Sequence, residues 1–95
     1  MNRNQVMAEI SKKYPNLSIA VSEDFSQSDT NGIWVRGTEE RITASDGRLL
    51  FDYYAEDYLE KHYIIGIHKE INALVESLGW FFEWYDAGTA FIYQQ

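Results

Sequence analysis

Cysteine is absent from this 95-residue sequence. No disulfide can staple the chain and no thiolate can hold a metal, so the small cross-linked secreted scaffolds are excluded. Long apolar runs are missing too. Nothing approaches the roughly 18 consecutive apolar residues of a membrane span. The opening Met1-Asn2-Arg3-Asn4-Gln5 is polar, with no apolar signal stretch behind it. The expectation is a soluble, cytoplasmic protein that does not enter membranes.

Positive charge is scarce. Eight Lys and Arg face fifteen Asp and Glu, for a net charge of −7. Binding to DNA or RNA requires basic residues against phosphates, so direct nucleic-acid binding is not expected, nor is an anionic membrane surface. The deficit is uneven. Residues 1–13 carry Arg3, Lys12 and Lys13 against Glu9. Residues 49–60 hold Asp52, Glu56, Asp57 and Glu60, and residues 70–95 hold Glu70, Glu76, Glu83 and Asp86 without a compensating Lys or Arg. Such a distribution serves solubility or forms an acidic face for a basic partner.

Signatures of chemistry are also lacking. There is no Gly-x-Ser-x-Gly elbow, no Gly-x-Gly-x-x-Gly fingerprint and no Walker-type phosphate loop. The two histidines, His62 and His68, lie six residues apart. On a helix that spacing separates them by about 120°, where a metal pair needs spacings of three or four, so they read as surface or rim residues. The carboxylate doublets Glu23-Asp24, Glu39-Glu40 and Glu56-Asp57 point to opposite faces if they lie on strands. No cofactor, no metal site and no enzymatic activity are expected. A small enzyme or ligand-binding domain using His68, Glu83 or Asp86 is the least supported reading.

Apolar residues, by contrast, make up 45% of the chain, and fifteen residues are aromatic. That suffices for a core and one α+β domain spanning residues 1–95. Val6, Met7, Ile10 and Tyr14 mark a short amphipathic helix over residues 4–14, stopped by Pro15-Asn16. Leu17, Ile19 and Val21 alternate as in a half-buried strand. Asn31-Gly32, Gly37-Thr38-Glu39 and Ser45-Asp46-Gly47 read as turns separating strands at residues 33–36, 40–44 and 48–54, an antiparallel meander. Ile64, Ile67, Ile71, Leu74, Val75 and Leu78 draw an apolar stripe for a long helix from about residue 62 to 78, with Gly66 inside it and Gly79 as its cap. Asp57 or Glu60 would stand near its start. A final hairpin flanks Asp86-Ala87-Gly88, with Asp86 accepting from the amide two residues on and Gly88 at positive φ. The expected architecture is an antiparallel sheet of five to six short strands, in the order α-β-β-β-β-α-β-β, packed on the long helix and the short N-terminal one.

The final hairpin holds seven of the fifteen aromatics. Phe81, Glu83 and Tyr85 would share one face; Trp80, Phe82, Trp84 and Asp86 would share the other. Only one face can pack on the long helix. The second either packs on residues 1–14 or is an exposed partner or dimer surface. Tyr53, Tyr54, Tyr58 and Tyr63 interleave with the acidic 49–60 segment, offering flat apolar area and acceptors together.

The reading that follows is a non-enzymatic binding or inhibitor protein with an acidic, aromatic face. Its contact residues would be Asp52, Tyr54, Glu56, Asp57, Tyr58, Glu60, Glu76, Glu83, Trp84, Tyr85 and Asp86. The partner would be a basic protein, in one form a nucleic-acid-binding enzyme that the carboxylates engage by mimicking phosphates. In size and charge the chain resembles the small proteins that phages encode against restriction or CRISPR systems; no motif carries that resemblance and it transfers no functional residues. The alternative is a homodimer or assembly subunit held by the C-terminal aromatic hairpin.

Overall fold

The computed structural model describes residues 1–55 and 60–95. Helix α1, Arg3–Lys13, begins at Asn2, whose side chain accepts from the Gln5 amide at 2.9 Å while the Gln5 side chain accepts from the Asn2 amide at 3.0 Å. This reciprocal capping box satisfies two amides that a helix start leaves orphaned. Lys12 and Lys13 occupy its last turn, where positive charge suits the helix dipole. Val6 and Ile10 turn its apolar edge fully inward.

The strands are β1 (Ile19–Val21), β2 (Ile33–Val35), β3 (Tyr63–Ile64), β4 (Ile67–His68), β5 (Trp80–Asp86) and β6 (Thr89–Gln94), with helix α2 (Lys69–Ser77) between β4 and β5. Four of them form an antiparallel sheet in the order β1-β2-β6-β5, and β3-β4 is a separate hairpin. The fold is α+β, as composition and patterning indicate. It is not a simple meander, because β2 pairs with the distant β6: Ile33 lies opposite Ile92 and Val35 opposite Ala90. These four residues are almost wholly buried, and the pairing of two apolar strands at the sheet centre decides the topology. Among the described residues no helix is long and apolar enough to cross a membrane.

The long helix is the main correction. Helix α2 is nine residues long, and Ile64 and Ile67 belong to the β3-β4 hairpin instead. Its turn is Ile65-Gly66, with φ of 49° and 77°. Two central residues at positive φ are what a two-residue hairpin turn requires. Spacings of three and four are shared by a helix stripe and by two strands joined in this way, so periodicity alone did not separate them. Gly66 is therefore a turn residue and not a helix contact. A Cβ there would also come within 2.7 Å of the Asp52 carbonyl oxygen. The cap of α2 is His68, so Glu60 is not near the helix start, and Asp57 lies outside the described residues. Gly79 (φ 85°) follows the last turn as expected.

The strands expected over residues 40–44 and 48–54 reduce to single bridges, Thr43 to Leu49 and Phe51 to Ile67. Arg41 stands at φ 58°, which interrupts the first of them. The Ser45-Asp46-Gly47 turn does form, with the Ala44 amide donating to the Arg48 carbonyl at 2.7 Å. The following segment threads between neighbours: Leu50 N–H donates to Ile42 O, His68 N–H to Leu50 O and Asp52 N–H to Gly66 O, each at 2.8 Å. Leu50 itself is fully buried.

Both helices lie on one face of the sheet. Val6 and Ile10 of α1, Ile71 and Val75 of α2, and Ile33, Val35, Trp80, Ala90 and Ile92 of the sheet share one core. Residues 1–14 therefore do not cover the second aromatic face.

Candidate protein-binding groove

Strand β5 alternates about this core. Trp80, Phe82 and Trp84 lie on the helix side, since Phe82 pairs with Ile92 and Trp84 with Ala90. Phe81 and Glu83 lie on the outer side, paired with Tyr93 and Phe91. The register shifts between Trp84 and Asp86, and Tyr85 is exposed there. Such a bulge bends the strand where the hairpin closes. Asp86 accepts from the Gly88 amide at 3.0 Å, the expected turn contact, but Gly88 does not adopt positive φ.

Trp84 is the common wall of two grooves. On one side, a cavity of about 440 Å³ is floored by Ile64, Ile67, Phe82 and Trp84, with Ile65 at its lip and Asn72, Glu76 and Glu83 around its edge. Among the described residues its charged lining consists of the two carboxylates. On the other side, a cavity of about 320 Å³ runs past Phe51, Asp52, Tyr53 and Tyr54, with Glu39 and Arg41 beside it. The indole is fixed between them. Its Nε1–H donates to the Ile65 carbonyl at 2.7 Å, and it meets Phe51 and Tyr53 edge-on at centroid distances of 6.2 and 4.9 Å. Edge-to-face rings at such distances attract through their quadrupoles. The β3-β4 turn thus supplies both the acceptor that orients Trp84 and an isoleucine that is 81% exposed. A β-branched residue at positive φ is strained, and strain of this kind concentrates at sites of interaction.

Several acids of the chain are engaged within the fold, and the two rim carboxylates are not held in that way. Arg3 Nη1 donates to Glu23 Oε1 at 2.6 Å. Glu23 is held down at about 2, by its own amide first, then by the Asn31 amide and by Arg3. Asp46 is likewise held at about 2, by the Arg48 amide first and then by His68. Glu70 accepts from the Ser45 hydroxyl and from Tyr14 Oη–H, the latter at 2.7 Å, which lowers its pKa and helps burial raise that of Tyr14. Asp29 accepts from Tyr93 Oη–H at 2.8 Å. These groups hold the fold together. Glu76 receives only the Asn72 amide group, at 2.8 Å, and Glu83 has no side-chain partner among the described residues. Both are exposed and available to a partner.

His68 is not a rim residue. It is buried, its Nδ1 accepts from the Glu70 amide at 3.0 Å and its Nε2 lies 3.0 Å from Asp46 Oδ2. The Nδ1 acceptor role places the proton on Nε2, which donates to Asp46. Both ring nitrogens are occupied in capping α2 and tying it to the 45–47 turn. Among the described residues no group of three or more His, Asp or Glu is arranged to hold a metal ion.

Of the residues singled out in the sequence, Glu76, Glu83 and Trp84 meet at the first groove, and Asp52 and Tyr54 join Trp84 at the second. Tyr85 faces the other side of the sheet against Phe25 and Phe91. Asp86 is committed to its turn. Glu60 is exposed at φ 50° and lines neither groove. Glu56, Asp57 and Tyr58 lie outside the described residues. The isoleucines of the β3-β4 hairpin were missed because they were assigned to the helix stripe; the Ile65-Gly66 pair was the signal for a turn. No protein-family model matches the chain, and neither a curated protein nor a solved structure does.

Proposed function

We propose that this chain is a non-enzymatic binding protein that receives a basic protein partner at the Trp84 grooves. The observation that carries the reading is the first groove, with an apolar floor and, among the described residues, two carboxylates and no base in its lining. An apolar floor supplies affinity through burial, at about 25 cal/mol per Å² removed from water. Rim carboxylates select lysine or arginine, speed encounter and make binding sensitive to salt. Enzymes that bind nucleic acid carry basic surfaces of the complementary sign, and occupation of one by this chain would inhibit it.

The test is capture of a partner by the immobilised chain at low and high salt, beside a Glu76→Gln/Glu83→Gln variant. A basic protein retained by the native chain, released by salt and lost by the variant supports the reading. Equal capture by both chains refutes it.

A second reading is favoured by a separate observation. On the outer face of the sheet Phe25, which follows the 3-10 turn Ser22–Asp24, stands edge-on to Trp34, Tyr85 and the buried Phe91 at 5.1–5.2 Å, and Phe25 and Tyr85 are exposed. An aromatic sheet face of this kind suits a second copy of the chain. Light scattering at tens of micromolar tests it, and a monomer there counts against it.

A further inference from the structure

We infer that the basic partner enters the first groove as an extended segment that adds a strand to β5; this rests on the groove being the partner's site. Strand β5 is the last strand of its sheet. Among the described residues its backbone forms hydrogen bonds to β6 alone, so every second amide and carbonyl on the far edge is unpaired. An edge of seven residues is long for a protein to leave bare, because it templates pairing with any free strand. Two features narrow the usable part. Trp80 is buried at one end, its Nε1–H donating to the Met1 carbonyl at 3.0 Å, and the bulge at Tyr85 breaks the register at the other. Phe81 to Trp84 remain.

A strand laid beside these four residues alternates its side chains as β5 does. Those on the helix side fall next to Phe82 and Trp84, into the apolar floor with Ile64 and Ile67. Those on the other side fall next to Phe81 and Glu83. The complementary segment therefore alternates apolar and basic residues. A further base at its end reaches Glu76 on α2. Charge also disfavours the obvious competitor. A second copy pairing through β5 would set Glu83 against a strand without lysine or arginine, because residues 70–95 contain neither. Glu83 set against such a strand finds no cation, so the edge favours a basic strand over a second copy.

The probe is an acetylated Lys-Val-Lys-Val-Lys-Val peptide added to the full chain. Affinity is read by Trp fluorescence and strand pairing by hydrogen exchange at the β5 amides. The expected result is binding that slows exchange at alternate β5 amides, and that weakens about tenfold in Glu76→Gln/Glu83→Gln, as for two rim ion pairs lost. Circular dichroism of the variant establishes that it is folded. Binding that is salt-sensitive and weakened by the variant but leaves β5 exchange unchanged overturns strand addition and leaves the groove as the partner's site. Absence of peptide binding likewise overturns strand addition. Binding that the variant does not weaken overturns both.

Discussion

Replacing Gly66 by alanine separates two costs that the structure assigns to different glycines. Gly66, Gly79 and Gly47 have nearly the same positive φ, 77°, 85° and 84°. An L-residue forced into this left-handed region costs about 1–2 kcal/mol. At Gly79 and Gly47 that is the whole cost, since an added Cβ would meet no atom within 4 Å. At Gly66 the Cβ would stand 2.7 Å from the Asp52 carbonyl oxygen and 3.0 Å from Tyr53 Cα. Neither is the end of a flexible side chain. The 52–53 backbone must move and strain the Asp52 N–H bond to Gly66 O, now 2.8 Å. Overpacking of this kind adds about 1–3 kcal/mol. Gly66→Ala is therefore expected to cost about 2–5 kcal/mol and the other two about 1–2 each. Urea unfolding of the three variants, at unchanged m-value, measures the difference. Equal losses at all three positions would refute the close approach at Gly66, and with it the packing of residues 52–53 against the β3-β4 turn that frames both grooves.

Other outcomes follow from individual contacts. Glu23 and Asp46 have pKa values held below their usual 4.5 and 3.8, at about 2, so the stability they contribute is present above those usual values and is lost as pH falls from about 5 to 2; Glu23→Gln and Asp46→Asn flatten the unfolding midpoint against pH in that window. His68→Ala removes the cap of α2 and the ring packed on Tyr63, for a loss of about 2 kcal/mol in thermal or urea unfolding, and His68→Asn, whose side-chain oxygen can still cap, recovers about 1 kcal/mol of it. Trp84→Phe keeps an apolar groove wall but deletes the donor to Ile65, costing about 1 kcal/mol and loosening the β3-β4 turn in hydrogen exchange.

Much of this architecture was legible in local pattern. The short strand at Ile19–Val21, the glycine after α2, the Asp86 turn and the two-faced aromatic strand are all set by neighbours a few residues away, although β1 excludes Leu17 and shows no alternation of burial. Non-local choices were not legible. Nothing in Ile33-Trp34-Val35 says that its partner is Ala90-Phe91-Ile92, because strand pairing is decided by which apolar rows close the core together. Ile64 and Ile67 satisfy helix and hairpin spacing alike, and the choice fell to the positive φ at Ile65 and Gly66. At the site, the carboxylates at 76 and 83 and the indole at 84 could be named from charge and aromatic density. Which acids are occupied could not: beside the nearby Asn31 and Arg48 amides, Glu23, Asp46 and Glu70 each take a partner at least 20 residues away in sequence, Arg3, His68 and Ser45 respectively. Only folding distinguishes these structural carboxylates from the exposed pair at the groove, where Glu76 accepts from Asn72 alone and Glu83 has no side-chain partner among the described residues.

The account rests on that groove being where a basic segment binds. Amide chemical-shift mapping of the isotope-labelled full chain, titrated with the Lys-Val-Lys-Val-Lys-Val peptide, tests this most directly. Shifts concentrated at Ile64–Ile67, Asn72, Glu76 and Phe81–Trp84, including the Trp84 indole, are predicted. Shifts confined to the outer face around Phe25, Trp34 and Phe91, or spread over the acidic surface without reaching Trp84, would contradict it.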